Sequence, residues 1–383
     1  MDKEQQETES VLSPYDTFVY GLRVKETKRQ YPHRLDIFMS FIGLQGSIQE
    51  KCTKLYELSK GKDNSNLLQS YIIKFINFQK KRIENKEIAE GTLHNYIKAI
   101  KLFFSMNDII IINWRRIGKG MPAERHSSDD RIPTIEEIKK LLEHPDRRIK
   151  PIVYTMLSAG FRVGSWDHLK WKHVIPIFRN GVIVAAKIIL INTKINHKPY
   201  FSFISPEAYD SLKSWMDFRK LHGEQITGES WLMRDTWQKI DRKHGHRIGL
   251  AKFPKKLKAI SIQNMIEQAW KIQGVRDKLL DPQIRRHEFK SNHGFRSYFE
   301  TKCQKARMHH NFVKMLMDHS FGESENYHKP TEQELLDEYL IAVDLLTIND
   351  EFRLRKRVEK LEIEKSEMDN LQLRLKKLEA KIV

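Results

Sequence analysis

The sequence predicts a mainly α-helical protein that carries one small antiparallel β-sheet. Apolar residues recur at helical spacing through most of the chain, as in DIFMSFIGL, LLQSYIIKFINFQ and TLHNYIKAIKLFFSM. Residues 182–204 change to β-branched runs, VIVAAKIILI and YFSFI, set around the turn signal TKINHKP. A stretch rich in Gly, Pro, Ser and charge, GKGMPAERHSSDDRIP, breaks the pattern near 118–132 and marks a domain boundary.

Composition bounds the class. A chain of 383 residues holds two or three domains, and 40% hydrophobic residues suffice for real cores. The net charge of +18 favours a polyanionic partner. Cys52 and Cys303 lie far apart, with neither metal-ligand spacing nor a disulfide framework, as fits a reducing cytoplasm. The start, MDKEQQETES, is polar and acidic, unlike a signal peptide. The longest apolar runs, IIII at 109–112 and VIVAAKIILI at 182–191, are too short to span a bilayer. The expectation is a soluble cytoplasmic protein associated with the nucleoid.

Taken in order, residues 1–14 read as a flexible tail. Residues 15–125 form a helical domain whose polar positions carry Lys25, Lys28, Arg29, Lys80, Lys81, Arg82, Lys98 and Lys101, a bias suited to gripping DNA. A second domain, 126–348, opens on the capping box Thr134-Ile-Glu-Glu137, in which the threonine hydroxyl accepts from a free helix N–H and Glu137 reaches back. Residues 151–174 read as a buried helix, a Gly-Phe-Arg-Val-Gly turn containing Arg162, and a further helix. The hairpin at 182–204 carries Lys194 and Lys198 at or near its tip. Ser205-Pro206 caps the next helix, and 206–286 is expected to be mostly helical apart from the basic segment 241–256. His293 and Arg296 project from one helix face. His319 follows in the string MDHS, then Tyr327, shortly before a helix capped by Thr331-Glu-Gln-Glu334.

The tail, 349–383, differs. Leu354, Val358, Leu361, Met368, Leu371, Leu375, Leu378 and Ile382 mark an apolar seam with steps of three and four, Lys365 filling one position. Two consecutive steps of three break the alternation as a stammer would in a coiled coil. Ten basic and eight acidic residues leave the tail at +2, so +16 of the +18 lies in residues 1–348.

These residues suit attack of a tyrosine on a phosphodiester. Two arginines, Arg162 and Arg296, can pin the phosphate with charge-assisted hydrogen bonds and stabilise the charge that grows in the transition state. His293 can take the tyrosine proton or hold the phosphate, and His319 can donate a further hydrogen bond. The Tyr327 phenol needs that positive field to become a nucleophile. Lys194 is a reasonable general acid for the leaving 5′-hydroxyl, with Lys198 sharing its hairpin. No cofactor, metal or ATP is called for, and no small-molecule substrate.

Arg162, Lys194, His293, Arg296, His319 and Tyr327 occur in the order and approximate spacing of the tyrosine recombinase, or phage integrase, family. GFRVGSW resembles that family's first arginine turn, NTK its hairpin lysine, HGFR its His-x-x-Arg, and MDHS followed by a tyrosine its ending. RRHEFK with HGFR, and NYHKPTEQELLDEYL, look most like archaeal integrases. The resemblance covers about 15–348 and implies a core-binding domain and a catalytic domain closed around double-stranded DNA, a 3′-phosphotyrosyl intermediate, and a homotetramer on two sites. The family's acidic residue three after the first arginine is here Ser165, with Asp167 two further on; its glycine before the second histidine is Asp318. The tyrosine follows His319 by eight residues rather than nine, where His328 stands, and Tyr339 is the alternative nucleophile. A type IB topoisomerase-like enzyme and a catalytically silent, architectural DNA-binding protein are the competing readings.

Overall fold

The computed structural model describes residues 12–61, 64–123, 131–191, 199–236, 255–276, 287–319 and 329–355, and of the tail beyond them 357–358, 361–362, 365 and 368–372. Lys194, Lys198, Tyr327 and His328 therefore lie outside the described residues, as do residues 241–254 of the basic segment. The chain divides into two compact units, 1–129 and 130–383.

Among the described residues the first unit's elements are all helices: α1 (Pro14–Tyr20), α2 (Lys25–Phe41), α3 (Ile48–Lys60), α4 (Asn64–Glu84), α5 (Glu90–Met106) and α6 (Trp114–Lys119). Its core follows from spacing. Leu68, Ile72, Phe75 and Ile76 fall on one face of α4, and Leu93, Tyr96, Ile100 and Phe103 on one face of α5. The ring of Phe75 meets Phe38 edge-on at 5.3 Å and Tyr96 at 5.7 Å, so α2, α4 and α5 share one aromatic centre. Lys25, Lys28, Lys81, Lys98 and Lys101 are exposed, whereas Arg29 and Arg82 are engaged by Glu26 and Glu87.

In the second unit, α7 (Ile135–Leu142) and α8 (Ile149–Ala159) precede two short 3-10 turns, Val163–His168 and Trp171–His173. Strands β1 (Val174–Arg179), β2 (Val182–Ile191) and β3 (Pro199–Ile204) follow, then α9 (Pro206–Leu221), α10 (Ala259–Ile272), α11 (Ser291–Lys305), α12 (His310–Leu316) and α13 (Glu332–Leu346). The sheet order is β1-β2-β3, antiparallel throughout. Helix α8 is the axis of this unit, with every residue but Lys150 and Tyr154 buried. The expected capping boxes at Thr134 and Thr331 and the Ser205 cap are all formed.

The predicted class, mainly α with one small antiparallel sheet, is the one observed. Details differ. Strand β1 was not anticipated, because HVIPIFR contains Pro176; the edge position and a bulge at Ile177/Phe178 accommodate that proline. The expected helix after Arg162 is a 3-10 turn, since Trp166 must turn inward against Phe161, with ring centroids 5.4 Å apart. Residues 222–236 are not helical. There Arg219, fully buried, pairs with Glu224 and donates to the Trp231 carbonyl oxygen, drawing the segment back across α9.

Past α13 the backbone N–H groups of Ile348 and Asn349 donate to the buried Glu207 carboxylate at 2.9 and 2.7 Å, which fixes the root of the tail. Leu354, Val358, Leu361, Met368 and Leu371 of the apolar seam are exposed. Among the described residues no helix is long and apolar enough to cross a membrane.

Candidate active site

The site is built on the C-terminal end of α8. A helix leaves its last carbonyl oxygens without intrahelical partners. Here three consecutive ones are taken by side chains from three distant elements. Tyr339 of α13 donates its hydroxyl to the Ser158 carbonyl at 3.0 Å. Ser202 of β3 donates to Ala159 at 2.9 Å, and Arg296 of α11 donates from Nη1 to Gly160 at 2.6 Å. Gly160 is left-handed, with φ 61°, and a β-carbon there would lie 2.3 Å from Phe299. Only glycine makes that turn. Arg162 follows directly, extended and partly exposed.

Arg296 also donates from Nη2 to the Met317 carbonyl oxygen at 2.6 Å, at the end of α12. One buried guanidinium thus joins the chain ends that present Arg162 and His319. Two of its N–H groups serve the fold, and a guanidinium has five. Burial and the neighbouring Arg162 charge bring the Arg296 pKa down to about 10, so it stays protonated at neutral pH. His319 feels burial first, then Arg296 and Arg162, and its pKa falls to about 4; at neutral pH it is an uncharged imidazole. His293 lies one turn before Arg296 on α11 and is exposed. Arg162, Arg296 and His319 are therefore brought together, with His293 on the helix that supplies Arg296.

Tyr339 is excluded as a nucleophile. It is fully buried, packs on Phe203, and burial raises its pKa well above the phenol value. Tyr298 and Phe299 are core, as expected. His309 and His310 are exposed.

Three neighbours, Asp318, Tyr200 and Ser165, were not among the expected site residues. Asp318 places its carboxylate Oδ2 3.3 Å from Arg162 Nη1. Tyr200, at the start of β3, sits where Asp318, Arg296 and Arg162 all act on its hydroxyl. Burial raises the Tyr200 pKa, while a hydrogen bond with Ser165 and the two arginines oppose that rise. Asp167, the nearer acid in sequence, serves elsewhere: its Oδ1 accepts from the Ala259 N–H at 2.8 Å and caps α10. The only sequence signal for Asp318 and Ser165 was their departure from the family pattern. Tyr200 gave none, because a tyrosine in a strand is most simply core. Among the described residues no three His, Cys, Asp or Glu side chains gather so as to hold a metal ion.

The arrangement is two guanidiniums and a neutral imidazole, already positioned before any ligand arrives. Such a site suits a tetrahedral oxyanion.

No family model and no curated protein matches the chain. Solved structures do. A λ integrase dimer bound to a COC′ core site matches at 12% identity and TM-score 0.50, over 84% of this chain and 96% of that one. XerH recombinase bound to palindromic difH substrate matches at 14% and 0.46, over 92% and 95%. XerA recombinase matches at 18% and 0.35, over 91% and 97%. The first of these establishes a shared fold.

Proposed function

We propose that the protein is a site-specific DNA recombinase of the tyrosine type, which cuts and rejoins DNA without metal or ATP. The observation that carries this reading is the buried Arg296, whose two carbonyl bonds bring Arg162 and His319 to one point. A phosphodiester seated there would meet two charged forks and an imidazole N–H. Those groups neutralise its non-bridging oxygens and stabilise the extra charge of the phosphorane.

Tyr327 is the proposed nucleophile. Its phenol attacks the phosphorus, the 3′-phosphate becomes a phosphotyrosyl ester, and the 5′-oxygen leaves. A neutral His293 can take the phenol proton. The hairpin lysine, Lys194 with Lys198 as its neighbour, returns a proton to the leaving oxygen. Tyr327 is eight residues beyond His319, a span that reaches at most about 28 Å and so allows approach to the arginines. A partner strand's 5′-hydroxyl reverses the step, which conserves the bond energy.

Residues 15–125 form the DNA-gripping unit in this reading, with the exposed lysines of α2, α4 and α5 as phosphate contacts. Residues 126–348 are the catalytic domain, and residues 349–383 join protomers into a tetramer on two sites. The fold shared with λ integrase supports the assignment, and so does the order of the six residues along the chain. A silent DNA-binding role draws support from one observation, the carboxylate of Asp318 facing Arg162.

The test is a covalent protein–DNA adduct on a nicked duplex carrying the protein's own attachment site. Tyr327→Phe should abolish the adduct and Tyr339→Phe should retain it. An adduct unchanged in Tyr327→Phe removes the nucleophile assignment. No adduct on a verified site leaves the silent binder.

A further inference from the structure

Asp318 holds a position that ordinarily belongs to glycine. Helix α12 ends in a Schellman turn: the Asp318 N–H donates to the Met315 carbonyl and the His319 N–H to that of Lys314, both at 2.9 Å. In that motif the residue at Asp318 is left-handed, and its φ is 52°. Glycine adopts this conformation freely, whereas a residue with a β-carbon does so at a cost of roughly 1 kcal/mol, less for Asp and Asn. The aspartate must therefore be explained by what its carboxylate meets.

It meets Arg162. Oδ2 lies 3.3 Å from Nη1, and the same nitrogen is 3.4 Å from the Asp318 carbonyl oxygen. Both distances are long beside the roughly 2.7–2.9 Å of a tight charge-assisted bond. Neither side chain is deeply buried: Arg162 is 31% and Asp318 25% exposed. This is a loose contact that an incoming anion can replace. It also explains Ser165 and Asp167. Ser165 is buried against Tyr200, and Asp167 is committed to the α10 N-terminus, so the acid that faces Arg162 comes from the opposite chain end.

We propose that Asp318 is a displaceable positioning residue. Its carboxylate holds Arg162 at the anion site while that site is empty and gives way when a phosphodiester enters. The charge balance states the consequence. Arg162 and Arg296 contribute two positive charges to the site, and Asp318 removes one. A small free oxyanion must displace the carboxylate with its own binding energy alone. A phosphate within DNA has help from contacts made elsewhere along the duplex. Asp318 thereby tunes the site against free phosphate and toward phosphate delivered on a polymer. The inference rests on reading Arg162 as a phosphate ligand, but not on covalent chemistry.

The experiment uses the full chain without DNA. Melting temperature is recorded against rising inorganic phosphate, with chloride adjusted to constant ionic strength. A ligand that binds only the folded state stabilises it by RT ln(1 + L/Kd) at free concentration L, so the rise of melting temperature with phosphate yields the phosphate Kd. Asp318→Asn keeps size and tolerance of the left-handed turn while removing the charge. It should lower the phosphate Kd by about tenfold. Asp318→Gly, which suits the turn, should do the same and serves if the Asn variant folds poorly. The gain should vanish in Asp318→Asn/Arg162→Gln. A phosphate Kd equal to wild type in both single variants overturns the proposal, whatever their phosphate-free stability. So does a tightened response that survives loss of Arg162. Tyr327 plays no part in this titration, so a failed adduct assay and a failed phosphate assay are separate results.

Discussion

Arg296 donates a 2.6 Å hydrogen bond to the carbonyl oxygen of Gly160, two residues before Arg162. The arginine that reads as catalytic is thus also the clamp on the loop presenting the other arginine. The two should separate cleanly by mutation. Arg296→Lys loses both carbonyl bonds and leaves a buried ammonium, so stability should fall by about 3 kcal/mol. Arg162→Lys, at a partly exposed position, should cost under about 1 kcal/mol while abolishing strand cleavage. Denaturant titration and cleavage assays on both variants check this. Equal stability losses would mean that Arg162 also supports the fold.

Gly160→Ala should be more damaging than its size suggests. The substitution adds a left-handed strain of roughly 1 kcal/mol and a β-carbon 2.3 Å from the Phe299 ring. A ring buried between α8 and α13 has little room to yield. The expected outcome is a destabilised protein with a displaced α8 end, read by thermal melting and by lost cleavage. Gly160→Ala/Phe299→Leu should recover part of the stability.

His319 sets a pH dependence with a definite sign. Its folded pKa is near 4, against an ordinary 6.5. The unfolded chain therefore takes up a proton between those values that the folded protein refuses. Stability contributed by the neutral imidazole is present above pH 6.5 and lost as pH falls toward 4. Discounted for solvent around a partly exposed ring, the loss is about 1–2 kcal/mol. His319→Asn should flatten that part of the profile in urea titrations at pH 5 and 7.5. An anion bound between the arginines should raise the His319 pKa, so phosphate should soften the acid loss in wild type alone.

The tail makes its own prediction. Its root is fixed by Glu207 and by the Lys139–Asp350 ion pair, whereas Leu354, Val358, Leu361, Met368 and Leu371 of its apolar seam are exposed. Deleting 350–383 should lower the oligomer mass in light scattering, and an unchanged mass refutes the role. Leu361→Lys/Leu371→Lys should act as the deletion does, because two further charges on the seam make its burial costly.

Much of the site was legible because its chemistry is written locally. Thr134, Ser205 and Thr331 cap the helices their patterns announced, since a cap needs only three or four successive residues. His293 and Arg296 share a face through helical period alone. Tyr339 was the alternative phenol, and it is buried against Phe203 with its hydroxyl on the Ser158 carbonyl.

The sequence by itself determined most of the elements and the identities of the charged groups. Helical period, β-branched runs and breaker residues act over a few positions, and side-chain chemistry travels with the residue. Only the tertiary structure decided which groups meet. Asp318 reaches Arg162 across 156 residues, and Asp167, five from Arg162, turns away to α10. The physical reason is that the helix-end carbonyls of α8 and the turn after α12 must find donors inside the fold. Arg296 satisfies both, and in doing so places the charges around it.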